Sequence, residues 1–129
     1  MTEATRPRVM VVDDDLALAR MLRILLQSEG FEVVTAHDGQ QALDRVSEAE
    51  PALVVLDLQM PVMDGRGFYR EFRRRGYRAP VLLLSAYNSE AAREELGADA
   101  AIGKPCDPDL IASTAHGLLA HTVREGPST

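Results

Sequence analysis

The chain has 129 residues, 46% of them hydrophobic and 26% charged, with a net charge of -6. That length fits one domain that buries roughly two-thirds of its unfolded surface without staples, and the composition is that of a soluble globular protein. The acidic balance argues against a nucleic-acid-binding domain, which carries a basic face; the single cysteine, Cys106, excludes an internal disulfide framework; and no apolar run approaches the roughly 18 residues that span a bilayer.

Residues 1–7 read as a disordered polar tail without the apolar core of a signal peptide, which predicts a cytoplasmic protein. "RVMVV" (8–12) is apolar and mostly β-branched, hence a strand buried on both faces. Asp13, Asp14 and Asp15 end it, with Asp15 placed to cap a helix. Leu18, Met21, Leu22 and Leu25 recur at helical spacing, and Gly30 stops that helix. A second strand follows at 31–36. A shorter helix, about 40–48, turns Ala42, Leu43 and Val46 inward and ends at Pro51. The third strand, 52–57, closes on Asp57. Met60-Pro61 shapes the next loop, and Asp64-Gly65 starts a helix to about residue 75 that is marked by Phe68 and Phe72 and closed by Gly76. A fourth strand (80–86), a short helix (89–96) stopped by Gly97 and a short fifth strand (99–103) follow. Leu110, Ile111, Ala115, Leu118 and Leu119 mark the last helix, and residues 125–129 read as a frayed end. One domain over 8–124 is expected, with no length left for a second.

Strands alternating with helices predict an α/β protein with a parallel sheet covered on both faces. In such sheets the ligand site lies beyond the carboxyl ends of the strands. Asp13 and Asp14 follow strand one, Asp57 ends strand three, Ser85 lies near the end of strand four and Lys104 just past strand five. Four strand ends thus deliver polar groups to one place. Three converging carboxylates repel one another, so either their pKa values rise or a cation neutralises them. Lys104 supplies one charge. Oxygen ligands without Cys or His suit Mg²⁺, with Mn²⁺ as a second choice. A carboxylate is also able to attack phosphorus and form an aspartyl-phosphate.

"VMVVDDD", "LVVLDLQMPVMDG", "VLLLSA" and "GADAAIGKP" together, in this order and over residues 8–122, resemble the response-regulator receiver domain of two-component signalling. The resemblance implies a flavodoxin-like three-layer sandwich with strand order 2-1-3-4-5. It implies that Asp57 is the phosphoacceptor, that Asp14 ligates Mg²⁺ directly and Asp13 largely through water, and that Gln59 offers its backbone carbonyl to the metal while its side chain matters less. It assigns Ser85 the hydroxyl position and Lys104 the contact to the phosphoryl group, with a cis Lys104–Pro105 bond. The partners it implies are a sensor histidine kinase or phosphotransfer protein and a downstream protein, with no direct nucleic-acid or membrane contact. It also implies a monomer or weak homodimer that catalyses its own phosphorylation and dephosphorylation without being a turnover enzyme.

The chain departs from that pattern at Ala101, where an aromatic residue is usual, with Tyr87 as the possible substitute. The stretch from Ser85 to Lys104 is shorter by a few residues, lost from the fourth helix, and Cys106 stands where Phe is common. A phosphotransferase or phosphatase enzyme is disfavoured, because Gln59 stands where its general acid belongs. A pseudo-receiver that takes no phosphate and the receiver fragment of a longer DNA-binding regulator stay open as alternatives. Outside the site, six arginines at 66–78 read as a solvated helix face or a docking patch for an acidic partner. His37, His116 and His121 show no metal-ligand spacing, and Cys106 reads as a small hydrophobe.

Overall fold

The computed structural model of the chain describes residues 6–60, 64–86 and 89–125, with side chains through residue 120. Pro61, Tyr87, the side chain of His121 and the tails at 1–5 and 126–129 lie outside the described residues. Strands and helices alternate: β1 (Arg8–Val12), α1 (Leu16–Ser28), β2 (Glu32–Ala36), α2 (Gly39–Glu48), β3 (Leu53–Asp57), α3 (Gly65–Arg74), β4 (Val81–Ser85), α4 (Ser89–Leu96), β5 (Ala100–Gly103) and α5 (Pro108–Glu125). All strand pairs are parallel, in the order β2-β1-β3-β4-β5. This is the flavodoxin-like order expected from the sequence.

The apolar runs read as strands because both faces are covered. Side chains alternate across a strand, and the two sets enter separate cores. Met10, Val12, Val54, Leu56 and Leu83 pack with Leu43, Val46, Phe68 and Phe72 beneath α2 and α3. Val9, Val11, Val55, Leu82 and Leu84 pack with Leu22, Leu26, Ile111 and Ala115 beneath α1 and α5.

Aspartates cap the helices α1, α2 and α3. Asp15 Oδ1 accepts from Leu18 N (3.1 Å), Asp38 Oδ1 from Gln41 N (2.8 Å) and Asp64 Oδ1 from Gly67 N (2.9 Å), each satisfying a first-turn donor that has no partner within its helix. In α1 the buried stripe runs through Ala19, Leu22 and Leu26. Leu18 and Leu25 flank it, and Met21, expected inside, is 37% exposed. A helix face centred on small Ala19 lets α1 approach the sheet more closely than one centred on Met21. The last helix begins at Pro108, earlier than its apolar residues suggested. Asp107 Oδ1 accepts from Asp109 N at 2.9 Å, and proline is well suited to a first helical position.

The arginine-rich stretch is neither free nor uniform. Arg66 and Arg70 pair with Glu95 of α4, and Arg74 and Arg75 with Glu71. Arg73 donates to the carbonyls of Tyr77 (3.1 Å) and Ala79 (2.9 Å) and lies over the Tyr69 ring. It ties the end of α3 to the turn that enters β4, where most of its neighbours hold surface ion pairs worth little individually.

Gly65 fixes how closely α3 starts to the end of β3. Its N–H donates to Leu58 O at 3.1 Å. A Cβ placed there would stand 2.5 Å from the Asp57 carbonyl oxygen and 2.6 Å from Leu58 Cα. Backbone atoms do not yield as a side-chain tip does. Gly65→Ala is therefore expected to destabilise the domain by about 1–3 kcal/mol through overpacking, read as a lowered urea midpoint at constant slope. An unchanged midpoint would disprove the close approach.

Candidate functional site

Parallel pairing brings the carboxyl ends of the strands to one edge of the sheet. Val12 is opposite Leu56, Asp57 opposite Leu84, and Ser85 opposite Gly103. One step beyond this line lie Asp13 and Lys104. Asp13, Asp57 and Ser85 are buried, Lys104 is half-buried, and Asp14 is exposed at the rim. The five residues named from strand-end position therefore share one edge. Carboxylate oxygens of Asp13, Asp14 and Asp57 lie within 4.8 Å of one another.

Lys104 Nζ stands 3.1 Å from Asp57 Oδ1 and 3.6 Å from Asp13 Oδ2. The backbone also serves the acids: Asp15 N donates to Asp13 Oδ1 at 2.9 Å and Gln59 N to Asp57 Oδ1 at 3.2 Å. Among the described residues, Asp13 Oδ2 receives no hydrogen bond although it is buried. The strand ends are fixed from below. Lys104 N donates to Ser85 O at 2.8 Å and Leu58 N to Leu84 O at 3.1 Å. The Lys104–Pro105 bond is cis, as the resemblance implied.

Burial raises Asp13 to about 6, the charges of Asp57 and Asp14 add to the rise, and the Asp15 amide and Lys104 oppose it. Asp57 is likewise raised by burial, against the opposing hydrogen bond and charge of Lys104. For Lys104, burial alone would lower the ammonium. The hydrogen bond to Asp57 and the charges of both buried acids outweigh it and hold the group above its ordinary value. Nearby Cys106 is pushed up by burial, which keeps it a thiol and leaves it the small packing residue expected.

This donor set fits a hard divalent cation. It consists of carboxylate oxygens without Cys or His, one of them buried without a hydrogen bond, and a single ammonium faces three acids.

Sequence position alone did not reveal the Gln59 side chain. Its Nε2 donates to Ser85 Oγ at 3.3 Å, and its Oε1 accepts from Ala86 N at 3.1 Å. The partners are 26 and 27 residues away in sequence, so only the pairing of β3 with β4 brings them together.

The family model described as "Response regulator receiver domain" matches residues 9–116 of the chain. A protein of Cyanophora paradoxa described as "Probable transcriptional regulator ycf27" is 38% identical over 130 residues, covering 98% of this chain and 54% of that protein. The chain thus spans about half the length of that curated relative. The receiver domain of the Francisella response regulator 1452 superposes with a TM-score of 0.85 at 28% identity, covering 91% of this chain and 99% of that one. The chemotaxis response regulator CheY4 of Vibrio cholerae gives 0.82 at 31% identity, covering 88% and 99%.

The raised Asp13 carboxyl yields a signed prediction. Its folded value, about 6, exceeds its ordinary unfolded value of about 3.9. Ionisation therefore costs the folded state stability above pH 6, and the cost is lost as pH falls through 6 towards 4. In chelator-treated buffer at pH 8, Asp13→Asn is expected to stabilise the domain by about 1–3 kcal/mol. That gain should fade between about pH 6 and pH 4 in thermal unfolding. A gain independent of pH would count against a charge origin.

Proposed function

Because the chain belongs to the response regulator receiver domain family, we propose that it accepts a phosphoryl group from phosphohistidine onto Asp57 and signals through the surface change that follows. An Asp57 carboxylate oxygen attacks phosphorus. An O–P bond forms, the P–N bond breaks, and the imidazole nitrogen keeps that bond's electron pair. The Lys104 ammonium, already 3.1 Å from the nucleophile, is placed to stabilise charge on the transferring oxygens, and the Ser85 hydroxyl donates to one of them. Asp13, Asp14, Asp57 and the backbone carbonyl of Gln59 would hold Mg²⁺, or Mn²⁺ in its place. Bound there, the ion neutralises the acid cluster and the phosphoryl oxygens.

The observation that carries this reading is the buried Asp57 carboxylate, paired with Lys104 and clustered with two further acids at the sheet's carboxyl edge. The domain signals and does not turn over a substrate: Gln59 stands two residues past the nucleophile, where a phosphotransferase would need an acid. Its donors are a sensor histidine kinase or a phosphotransfer protein, and its reader is another protein. Among the described residues no helix is long and apolar enough to cross a membrane. The net charge of -6 supports a domain that does not itself bind nucleic acid, and the lone cysteine supports a cytoplasmic location. The protein works as a monomer or weak homodimer. The half-length match to a transcriptional regulator favours a second reading in which this domain is the receiver portion of a longer regulator; an open reading frame continuing past Thr129 would support it.

Incubation with acetyl phosphate and Mg²⁺ should add one phosphoryl group, seen by intact mass, and Asp57→Asn should abolish it. Labelling of the variant at another residue would refute the assignment. Asp14→Ala should weaken Mg²⁺ binding at least tenfold by titration, since it removes one of few charged oxygens at an ion that retains most of its waters. Unchanged affinity would count against the metal site.

A further inference from the structure

We infer that the free edge of the sheet, strand β2, takes up an extended acidic segment of a partner protein as an added strand, with carboxylates of that segment held by Arg20 and Arg23 of α1. This surface is separate from the acid cluster, and the inference does not depend on the reading of Asp57.

Strand β2 ends the sheet. Its pairing with β1 uses alternate residues: Glu32 N donates to Pro7 O at 2.9 Å, and Ala36 O accepts from Asp13 N at 3.0 Å, with Glu32 opposite Arg8 and Ala36 opposite Val12. Parallel pairing then turns the N–H and C=O of Val33 and Thr35 away from β1, to the open edge. The residues that commonly blunt such an edge are not used here. Glu32–Ala36 holds no proline or lysine, and its one charged side chain, Glu32, is paired with Arg8 at the start of the strand.

Beside this edge runs a groove of about 260 Å³ between α1 and β2, lined by Leu16, Ala19, Arg20, Arg23, Thr35 and His37. Arg20 and Arg23 are exposed and form no ion pair among the described residues, and Leu16 is 62% exposed. In a chain of net charge -6, this is a cationic strip left without acids of its own. Side chains two apart on an added strand stand about 6.6 Å from each other. Residues three apart on a helix rise about 4.5 Å, a difference that long arginine side chains absorb. Asp15 and Asp38 adjoin Leu16 and His37 in sequence and repel an acid at that end. The segment therefore sets its carboxylates at the arginines and an apolar side chain on Leu16. A second copy of the chain suits the edge poorly: β2 antiparallel to β2 would bring the arginines of both copies onto one face, where like charges repel.

The test uses the full chain and a short synthetic peptide alternating glutamate and threonine, with leucine at one end. The peptide should bind by fluorescence anisotropy, more weakly as salt rises, and should protect the Val33 and Thr35 amides from hydrogen exchange. Arg20→Ala and Arg23→Ala should each weaken binding about two- to fivefold, and a lysine–threonine peptide should not bind. Thr35→Pro removes an edge donor without touching a bond to β1 and should weaken binding about two- to tenfold. Backbone N-methylation of the peptide, which removes its donors and keeps its charge, should abolish binding; it decides the matter even where Thr35→Pro does not fold. No binding, unprotected Val33 and Thr35 amides, or equal binding of the N-methylated peptide would overturn the added strand. Equal binding of the lysine peptide, or parent-like affinity in both arginine variants, would overturn the selection of acids. Self-association of the free chain that Thr35→Pro abolishes would put a second copy on the edge and overturn the acidic partner.

Discussion

The placement of one ammonium against two buried carboxylates governs this molecule. Lys104 lies 3.1 Å from Asp57 and 3.6 Å from Asp13, both almost wholly withdrawn from water. Buried charges are tolerated when they are paired and hydrogen-bonded. Here the pairing is incomplete, since Asp14 adds a third acid at the rim and Asp13 Oδ2 lacks a hydrogen bond among the described residues. Burial raises the pKa of both buried acids, and the negative deficit of the site adds to that rise. That deficit is what makes a divalent cation a fitting ligand, and it concentrates the energetic consequences of any added phosphoryl charge at a single point.

The rest of the fold serves that placement. A parallel sheet delivers all its carboxyl ends to one edge, and the doubly covered faces leave little freedom for a strand to slide, because a one-residue slip would exchange the two cores. Gly65 brings the start of α3 into contact with the backbone of Asp57 and Leu58, so movement at Asp57 is directly coupled to α3. Arg73 secures the far end of the same helix to the turn entering β4.

If Asp57 takes a phosphoryl group as proposed, the change has to travel from this edge to a surface. The short α4 is bound to α3 through Glu95, which pairs with Arg66 and Arg70. Ala101, where the family usually carries an aromatic side chain, is half-buried and packs against the α2–α4 core. A methyl group offers no bulky ring to swing between two positions. The contacts of Gln59 with Ser85 and Ala86 at the β4 end, and the ion pairs that seat α4, are the ones through which the proposed signal would have to act. Bistability of those contacts is the physical requirement for any such switch.

How far the sequence determined all this follows from which interactions are local. Strand and helix identities came from periodicity, and the cap at Asp15 and the helix start at Asp64-Gly65 from local residue types, because each depends on residues within a few positions. The two-sided sheet followed from unbroken apolar strands, and Asp13, Asp14, Asp57, Ser85 and Lys104 followed from their places at strand ends. The inward face of α1 was misjudged at Met21, since the choice among neighbouring apolar stripes depends on how closely the helix meets the sheet. The arginines at 66–78 looked alike in sequence; only the positions of Glu95, Tyr77 and Ala79 separated the tie at Arg73 from surface pairs. The Gln59 side chain was passed over because both its partners lie at the end of another strand. The sequence by itself thus determined which elements form and which polar groups reach the edge. Tertiary structure alone decided which of those groups touch, because hydrogen bonds and buried charges depend on distances set by strand register and helix docking.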